Sequence, residues 1–183
     1  MLIQELTNED NLNLLAHMHF GRLACAQGAQ PYVVPFYFAY QNNYLYSFAT
    51  IGQRIEWMRA NPLVCVEMDE VVSSEEWVSV IIFGRYEELP NTPERKMARE
   101  LAYELLKQKA NWWEPGYAKT IIRGTARSLD PVYFRIQIAQ ITGHHGTRDP
   151  RDVIDAKSPA IEHTDKHSIS NILGVLRTRL FSK

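Results

Sequence analysis

Three residues around the start of a predicted short helix have the chemistry to bind a phosphate group. The guanidinium of Arg54 can donate two hydrogen bonds at once, and Thr50 and Gln53 place further donors beside the helix N-terminus. The preceding segment, 31–49, is rich in aromatic and β-branched residues, so its strand backbone could line a flat ring. On periodicity alone, an ordinary hairpin followed by a solvated helix with a surface arginine explains the segment better than a ligand site does.

Six segments that flank or contain these residues have the composition of β-strands: 22–26, 32–40, 44–49, 63–68, 77–87 and 132–141. Asn42 and Asn43 tolerate positive φ and predict a tight turn, so the second and third strands should form a hairpin. In the last strand, residues at even positions from Val132 to Ile138 should face one side and those at odd positions the other. Because no βαβ rhythm is present, the pattern predicts a mainly β, mostly antiparallel small barrel with flanking helices.

Three helices are predicted between these strands. Thr7 is placed to cap the first helix, with Asp10 in the capping-box position, and Gly21 should end it. The second helix spans 52–60 and ends before a proline, while the third should begin at Thr92-Pro93-Glu94 and run to about residue 109. The predicted apolar faces are formed by Leu12, Leu15 and Met18, by Ile55 and Met58, and by Met97, Leu101 and Leu105.

The composition is typical of a globular domain without a nucleic-acid-binding surface. The chain has 183 residues, of which 45% are hydrophobic and 22% charged, and its net charge is −1. Cys25 and Cys65 lie in apolar runs, which predicts buried free thiols rather than a disulfide framework. Neither a signal peptide nor an apolar run long enough to span a bilayer is visible, so we expect a cytoplasmic protein with no membrane segment.

The C-terminal part of the sequence differs in character from the rest. Residues 147–166 are rich in proline and aspartate and predict a loop, whereas 168–183 carries an amphipathic stripe expected to pack on the domain or on a partner subunit. Trp112-Trp113 could form a lid over the ring, part of a dimer contact, or a hydrophobic plug under a loop. Four histidines lack the spacing of a zinc site and predict solvated loop positions: His144, His145, His163 and His167.

Five sequence blocks occur in an order that resembles a known family. They are GRLA (21–24), PYVVPFYFAY (31–40), LYSFATIGQRIEWMRANP (45–62), VCVEMDE (64–70) and WVSVIIFGRYEEL (77–89). Together they resemble the pyridoxamine 5′-phosphate oxidase-like FMN-binding split-barrel family. Within it, they are most similar to the branch related to nitroimidazole-resistance reductases. The likeness runs from Leu6 to Gly143.

The resemblance implies a homodimeric, six-stranded antiparallel split barrel over 1–146, with two flavins at the dimer interface, and a C-terminal loop and helix over 147–183. It also implies an FMN-dependent oxidoreductase that acts on a small aromatic or nitroaromatic acceptor, with NAD(P)H as the candidate donor. Thr142-Gly143 matches the end of the last strand. Nine positions are carried over as flavin contacts: Pro35, Phe36, Tyr37, Ser47, Phe48, Thr50, Gln53, Arg54 and Ser79.

The sequence also departs from this family at functional positions. Phe48 stands where many relatives in this branch have histidine. The arginine and histidine residues with which true pyridoxamine phosphate oxidases hold their substrate have no clear match. We therefore expect that oxidase activity to be weak or absent, and we assign no catalytic side chain. Because some split-barrel relatives bind haem, the alternative function is a non-enzymatic flavin- or haem-binding sensor or carrier.

Overall fold

The computed structural model describes residues 1–108, 120–122, 125–127 and 131–149. Within these ranges the helices are α1 (Asn8–His17), α2 (Gln53–Ala60) and α3 (Lys96–Lys107). The strands are β1 (Leu2–Glu5), β2 (Phe20–Gln27), β3 (Gln30–Tyr37), β4 (Ala39–Gln41), β5 (Tyr44–Ala49), β6 (Leu63–Ser73), β7 (Glu76–Glu88), β8 (Thr120–Ile122), β9 (Thr125–Arg127) and β10 (Val132–Thr147). Trp112-Trp113, His163, His167 and the predicted C-terminal helix lie outside the described residues.

One antiparallel sheet of eight strands dominates the fold, in the order β3-β2-β6-β7-β10-β5-β4, with β1 paired to β10. The predicted fold class, a mainly β antiparallel barrel with few helices, is therefore confirmed. All six predicted strands are present. In this sheet the count rises to eight because the second is divided into β3 and β4, and because β1 was not predicted; β8 and β9 form a separate two-stranded sheet. No helix in the described ranges is both long and apolar enough to cross a membrane.

The predicted hairpin between the second and third strands is wrong over most of its length. Strand β3 pairs with β2 throughout, and only the short β4 pairs with β5. The division falls at Phe38, whose ring is buried and whose backbone N–H donates to the His19 carbonyl at 3.0 Å. The predicted turn itself is confirmed, since Asn42 and Asn43 have φ values of 49° and 66°.

Strand β10 is longer than predicted and contains a bulge. It continues past Thr142-Gly143 to Thr147, because its last residues pair with both β7 and β1. The pairing register with β7 shifts by one residue between Ile138 and Gln140, which leaves Ala139 as an extra residue. Such a bulge exchanges the two faces of a strand. Of the even positions up to Ile138, three are buried as predicted and Val132 is half-buried, while Tyr133 on the other face is buried in the smaller cluster. Beyond the bulge the inward positions are odd, which brings His145 into the interior.

The first helix is capped as predicted but ends earlier. The Thr7 hydroxyl oxygen accepts a hydrogen bond from the Asp10 backbone N–H at 3.2 Å, and α1 ends at His17. Gly21, expected to end the helix, lies inside β2. A Cβ atom at that position would come within 2.5 Å of the Glu67 carbonyl oxygen, so the neighbouring strand requires glycine there.

The other two helices follow their predictions to different degrees. In α2, Ile55 and Met58 are fully buried, as the sequence indicated. Helix α3 starts at Lys96 rather than at Thr92, because residues 92–95 form a separate turn closed by the Arg95 N–H on the Thr92 carbonyl at 3.1 Å. Met97, predicted to be on the apolar face, is 84% exposed, and the buried residues are Ala102 and Leu106.

Two hydrophobic clusters hold these elements together. The larger one fills the barrel and includes Leu23, Phe36, Ile55 and Phe134, whereas the smaller one lies between α3 and the outward face of β5 and β10. Cys25 is a buried free thiol in the barrel, as predicted, while Cys65 is half-buried on the other face of the sheet.

Candidate functional site

Arg54 is a half-buried cation without a carboxylate partner among the described residues. Its guanidinium donates one hydrogen bond, to the Pro35 carbonyl oxygen at 3.3 Å. Burial lowers the pKa of Arg54, and the groups that oppose this effect are Tyr32, Cys25 and Tyr86. A guanidinium has five N–H donors, and one that is removed from water is stabilised only by adequate partners. The arrangement leaves most of these donors available to an external anion.

The N-terminus of α2 adds further donors next to Arg54. The residue at the N-cap is Gly52, which has no side chain to cap the first backbone N–H groups of the helix. Gln53 is exposed at the first helical position, and Thr50 is half-buried just before the turn. Helix N-termini favour negative charge. The loop, the helix start and Arg54 therefore form one corner with the properties of a phosphate site.

The strand predicted to face the ring presents alternating side chains at the edge of the sheet. Pro35 and Tyr37 are exposed, whereas Phe36 is buried in the barrel. The buried Ser47 hydroxyl donates to the Tyr37 carbonyl oxygen at 2.6 Å. Among the strands that the structure describes, β3 pairs only with β2, so no described strand covers its other edge. A ligand at this edge would meet the side chains of Pro35 and Tyr37, and only the backbone at Phe36.

Two of the nine predicted contacts lie away from this corner. Phe48 points to the opposite face of β5 from Ser47 and packs in the smaller cluster, with its ring centroid 5.9 Å from that of Tyr133. Ser79 lies on the outward face of β7, paired with Asp69 and His144. Tyr86, which lies near Arg54, is also on β7, and Ser79 precedes it by seven residues, about 23 Å along the strand at the usual rise per residue. Within one chain, Ser79 therefore lies well away from Arg54.

Sequence reasoning missed several residues around Arg54. Cys25 and Tyr86 reach it through strand pairings that local sequence does not reveal. Trp57 lies one helical turn after Arg54, and this i, i+3 spacing was a usable signal. The Tyr86 hydroxyl donates to Glu88 at 3.0 Å, and burial raises the pKa of Tyr86, so this phenol stays neutral at physiological pH.

The histidines of β10 differ from their predicted solvated loop positions. His144 is exposed but lies within the strand, and His145 is only 5% exposed, because the bulge turns it inward. Its Nδ1 atom has no hydrogen-bond partner in the described part of the chain. No group of three potential metal ligands occurs among the described residues.

Comparison with known proteins places this architecture in a family. Residues 7–145 match the family model described as pyridoxamine 5′-phosphate oxidase. An uncharacterised protein of Rhizobium meliloti (strain 1021) is 37% identical over 143 residues, which are 78% of this chain and 95% of the relative.

Solved structures of other proteins share this fold. A FAD-binding protein from Mesorhizobium loti is 41% identical, with a TM-score of 0.67, over 80% of this chain and 100% of that one. A putative 5-nitroimidazole antibiotic resistance protein from Bacteroides thetaiotaomicron shares the fold at 17% identity, with a TM-score of 0.51, over 79% of this chain and 89% of that one. The chain belongs to the pyridoxamine 5′-phosphate oxidase family.

Proposed function

We propose that this protein binds a flavin nucleotide whose phosphate sits against Arg54 and the N-terminus of α2, with FMN as the smallest cofactor that satisfies the site. The observation that carries this proposal is the half-buried guanidinium of Arg54, which has no carboxylate partner among the described residues. A phosphate would supply the missing charge and accept hydrogen bonds from Arg54, Gln53 and Thr50. The 41% identity to a FAD-binding protein supports a flavin as the ligand.

The flavin ring would lie along the uncovered edge of β3. Pro35 and Tyr37 are exposed there, and the Ser47 hydroxyl fixes the carbonyl of Tyr37 at 2.6 Å. Phe36 supports the strand from the core side. These residues bind and orient the ring and exclude water from one of its faces. The bound flavin itself supplies the redox chemistry, by accepting and releasing electron pairs.

The proposed functional unit is a homodimer formed through the outward face of the sheet. One row across four strands consists of Val33, Ala24, Cys65 and Phe83, and Val33 and Phe83 are 59% and 49% exposed. Exposed apolar rows of this kind mark association surfaces. Ser79 lies on the same face, so the Ser79 of a second copy could approach a flavin held by Arg54.

The dimer is tested by disrupting this row. A Phe83→Glu substitution would place a charge in the middle of the proposed contact. We expect the wild-type protein to elute as a dimer in size-exclusion chromatography with light scattering, and the variant as a folded monomer. A wild-type monomer at micromolar concentration, or a variant that stays dimeric, would show that this face is not the interface.

The proposed activity is reduction of a small aromatic or nitroaromatic acceptor with NAD(P)H as the electron donor, in the cytoplasm. Phe48, which stands where many relatives in this branch have histidine, packs in the smaller cluster. The chain would therefore act by holding the flavin and shaping its open face, rather than through a side-chain nucleophile. True pyridoxamine phosphate oxidase activity is not part of the proposal.

A non-enzymatic carrier or sensor is the second candidate. It is favoured by the described groups that interact electrostatically with Arg54, which are Tyr32, Cys25 and Tyr86, since neither a histidine nor a carboxylate is among these described residues. Steady-state consumption of NAD(P)H with a nitroaromatic acceptor separates the two functions. Turnover supports the enzyme, whereas a tight flavin complex without turnover supports the carrier.

The absorbance spectrum of the purified protein tests the cofactor. We expect flavin bands near those of free FMN, with the pigment released by heat. A colourless protein that takes up no added flavin would overturn the proposal. A Soret band after reconstitution would instead identify haem as the ligand.

A further inference from the structure

An apolar patch lies on the outward face of the sheet, at the end where the chain leaves β10. The strand pairings place four residues in one row across β6, β7, β10 and β1, which are Val71, Trp77, Gly146 and Ile3. Val71 and Ile3 are 66% and 55% exposed, and Trp77 is half-buried. We call Ile3, Val71 and Trp77 the end patch. Neighbouring apolar side chains that are exposed in this way indicate a contact surface.

Gly146 makes the end patch continuous. A Cβ atom at Gly146 would come within 2.7 Å of Cε2 of the Trp77 indole, so the indole occupies the space above this glycine. The ring of Trp77 therefore extends from β7 over β10, toward Ile3 on β1. At the usual strand spacing, the row from Val71 to Ile3 is about 14 Å wide.

The end patch is separate from the row proposed as the dimer contact. Trp77 precedes Phe83 by six residues on β7, which is about 20 Å along the strand. A dimer formed around Phe83 therefore does not by itself account for the end patch.

The described part of the chain ends beside this patch. Its last residue, Asp149, follows Gly146 by three residues and is therefore at most about 11 Å away. Nε of Arg148 forms an ion pair with the Glu75 carboxylate at 2.7 Å, which holds the chain after β10 against the turn between β6 and β7. A tethered segment meets a surface near its attachment point at a high effective concentration.

Residues 168–183 have a sequence suited to covering such a patch. They lie outside the described residues, so only their sequence bears on this point. Their apolar stripe follows helical spacing and consists of Ile169, Ile172, Leu173, Leu176 and Leu180. In a helix this stripe would be about 17 Å long, which is close to the width of the end patch.

The charges of the segment and of the patch are complementary. Residues 168–183 contain no acidic residue and three cationic ones, which are Arg177, Arg179 and Lys183. Beside the end patch, Glu5 on β1 and Glu76 at the start of β7 are exposed. Opposite charges on two surfaces favour their association and their register.

We propose that residues 168–183 dock as a helix across the end patch of their own chain, with the apolar stripe against Trp77. Docking removes the patch from water and brings the cationic end of the segment toward the exposed carboxylates. The nearby chain exit favours the segment of the same chain over that of a second copy. This docking does not depend on the flavin site proposed at Arg54.

Maleimide labelling of Val71→Cys in the full chain tests the docking, with the rate read above that of the parent protein, which contains Cys25 and Cys65. Leu176→Asp adds a carboxylate to the stripe, and Thr178→Asp adds the same charge away from it. Adding Leu176→Asp should speed labelling about tenfold or more, because a docked segment would have to bury an unpaired carboxylate. Adding Thr178→Asp should change the rate less than about threefold.

Circular dichroism checks that each variant is folded, and Ile3→Cys repeats the test on the other side of the patch if Val71→Cys does not fold. Protection that persists on dilution supports docking within one chain. Equal labelling rates with and without Leu176→Asp would overturn the proposal, because the segment would then not cover the patch. Protection that is lost on dilution would assign the contact to the segment of a second copy, and would also overturn it.

Discussion

The two ends of α2 each carry an arginine, and their surroundings are opposite. At the C-terminal end, Arg59 forms two hydrogen bonds of 2.8 Å with the carboxylate of Glu88, which raise the pKa of Arg59. At the N-terminal end, Arg54 has only the Pro35 carbonyl as a hydrogen-bond partner among the described residues, and burial lowers its pKa. One arginine is satisfied within the fold, and the other is left for an anion from outside. The contrast supports the proposed ligand-binding role of Arg54 and a structural role of Arg59 on one eight-residue helix.

Arg54→Ala tests the ligand-binding side of this contrast and should have the largest effect. Loss of a charge-assisted hydrogen-bonding partner should weaken FMN binding by about 1.5–3 kcal/mol, or roughly 10- to 150-fold. Titration of the flavin-free protein, followed by flavin fluorescence, measures this change. The variant should unfold at the same or a slightly higher temperature without flavin, since it removes an unpaired half-buried charge. Unchanged FMN affinity would remove Arg54 from the site.

Arg59→Ala is the matched control on the same helix, and its effect should fall on stability. The Arg59–Glu88 pair is partly exposed, so its loss should lower the free energy of unfolding by about 0.5–1 kcal/mol. FMN affinity should stay within about twofold of wild type, because the donors of Arg59 face Glu88. Urea denaturation and the same fluorescence titration measure the two quantities. A variant that loses FMN but not stability would reverse the assignment of the two arginines.

The stability that the Arg59–Glu88 pair contributes should depend on pH. The hydrogen bonds from Arg59 hold the pKa of Glu88 below its ordinary value. This contribution to stability is present above the ordinary glutamate pKa of about 4.3, and it is lost as the pH falls through the lower folded-state value. The stability difference between wild type and Arg59→Ala should therefore shrink in acid, by less than about 1 kcal/mol in total. A difference that grows on acidification would contradict this pairing.

The sequence predicted those parts of the fold that depend on local chemistry. The helix over α2, the Asn42-Asn43 turn and the strand β5 follow from residue preferences that act over a few positions. The parts that depend on distant partners could not be predicted. The break at Phe38 requires the His19 carbonyl, and the bulge at Ala139 is seen only once β7 and β10 are aligned.

The same division holds for the candidate site. Arg54 was found because a cation at a helix start has a recognisable local pattern. Phe48 and Ser47 are neighbours on β5 and point to opposite faces, and the packing of Phe48 in the smaller cluster is not visible from local sequence. The contribution of Tyr86 depends on the pairing of distant strands, and Trp57 was missed although its helical spacing was available. Local sequence therefore identified the charge and not its surroundings.

The most direct test of the central claim compares FMN with riboflavin, which lacks the phosphate, in wild type and in Arg54→Ala. If Arg54 holds the phosphate, wild type should bind FMN at least about tenfold more tightly than riboflavin, and Arg54→Ala should bind the two with similar affinity. Riboflavin affinity itself should be almost the same in both proteins. If the preference for FMN survives in Arg54→Ala, the phosphate lies elsewhere and the central claim is wrong.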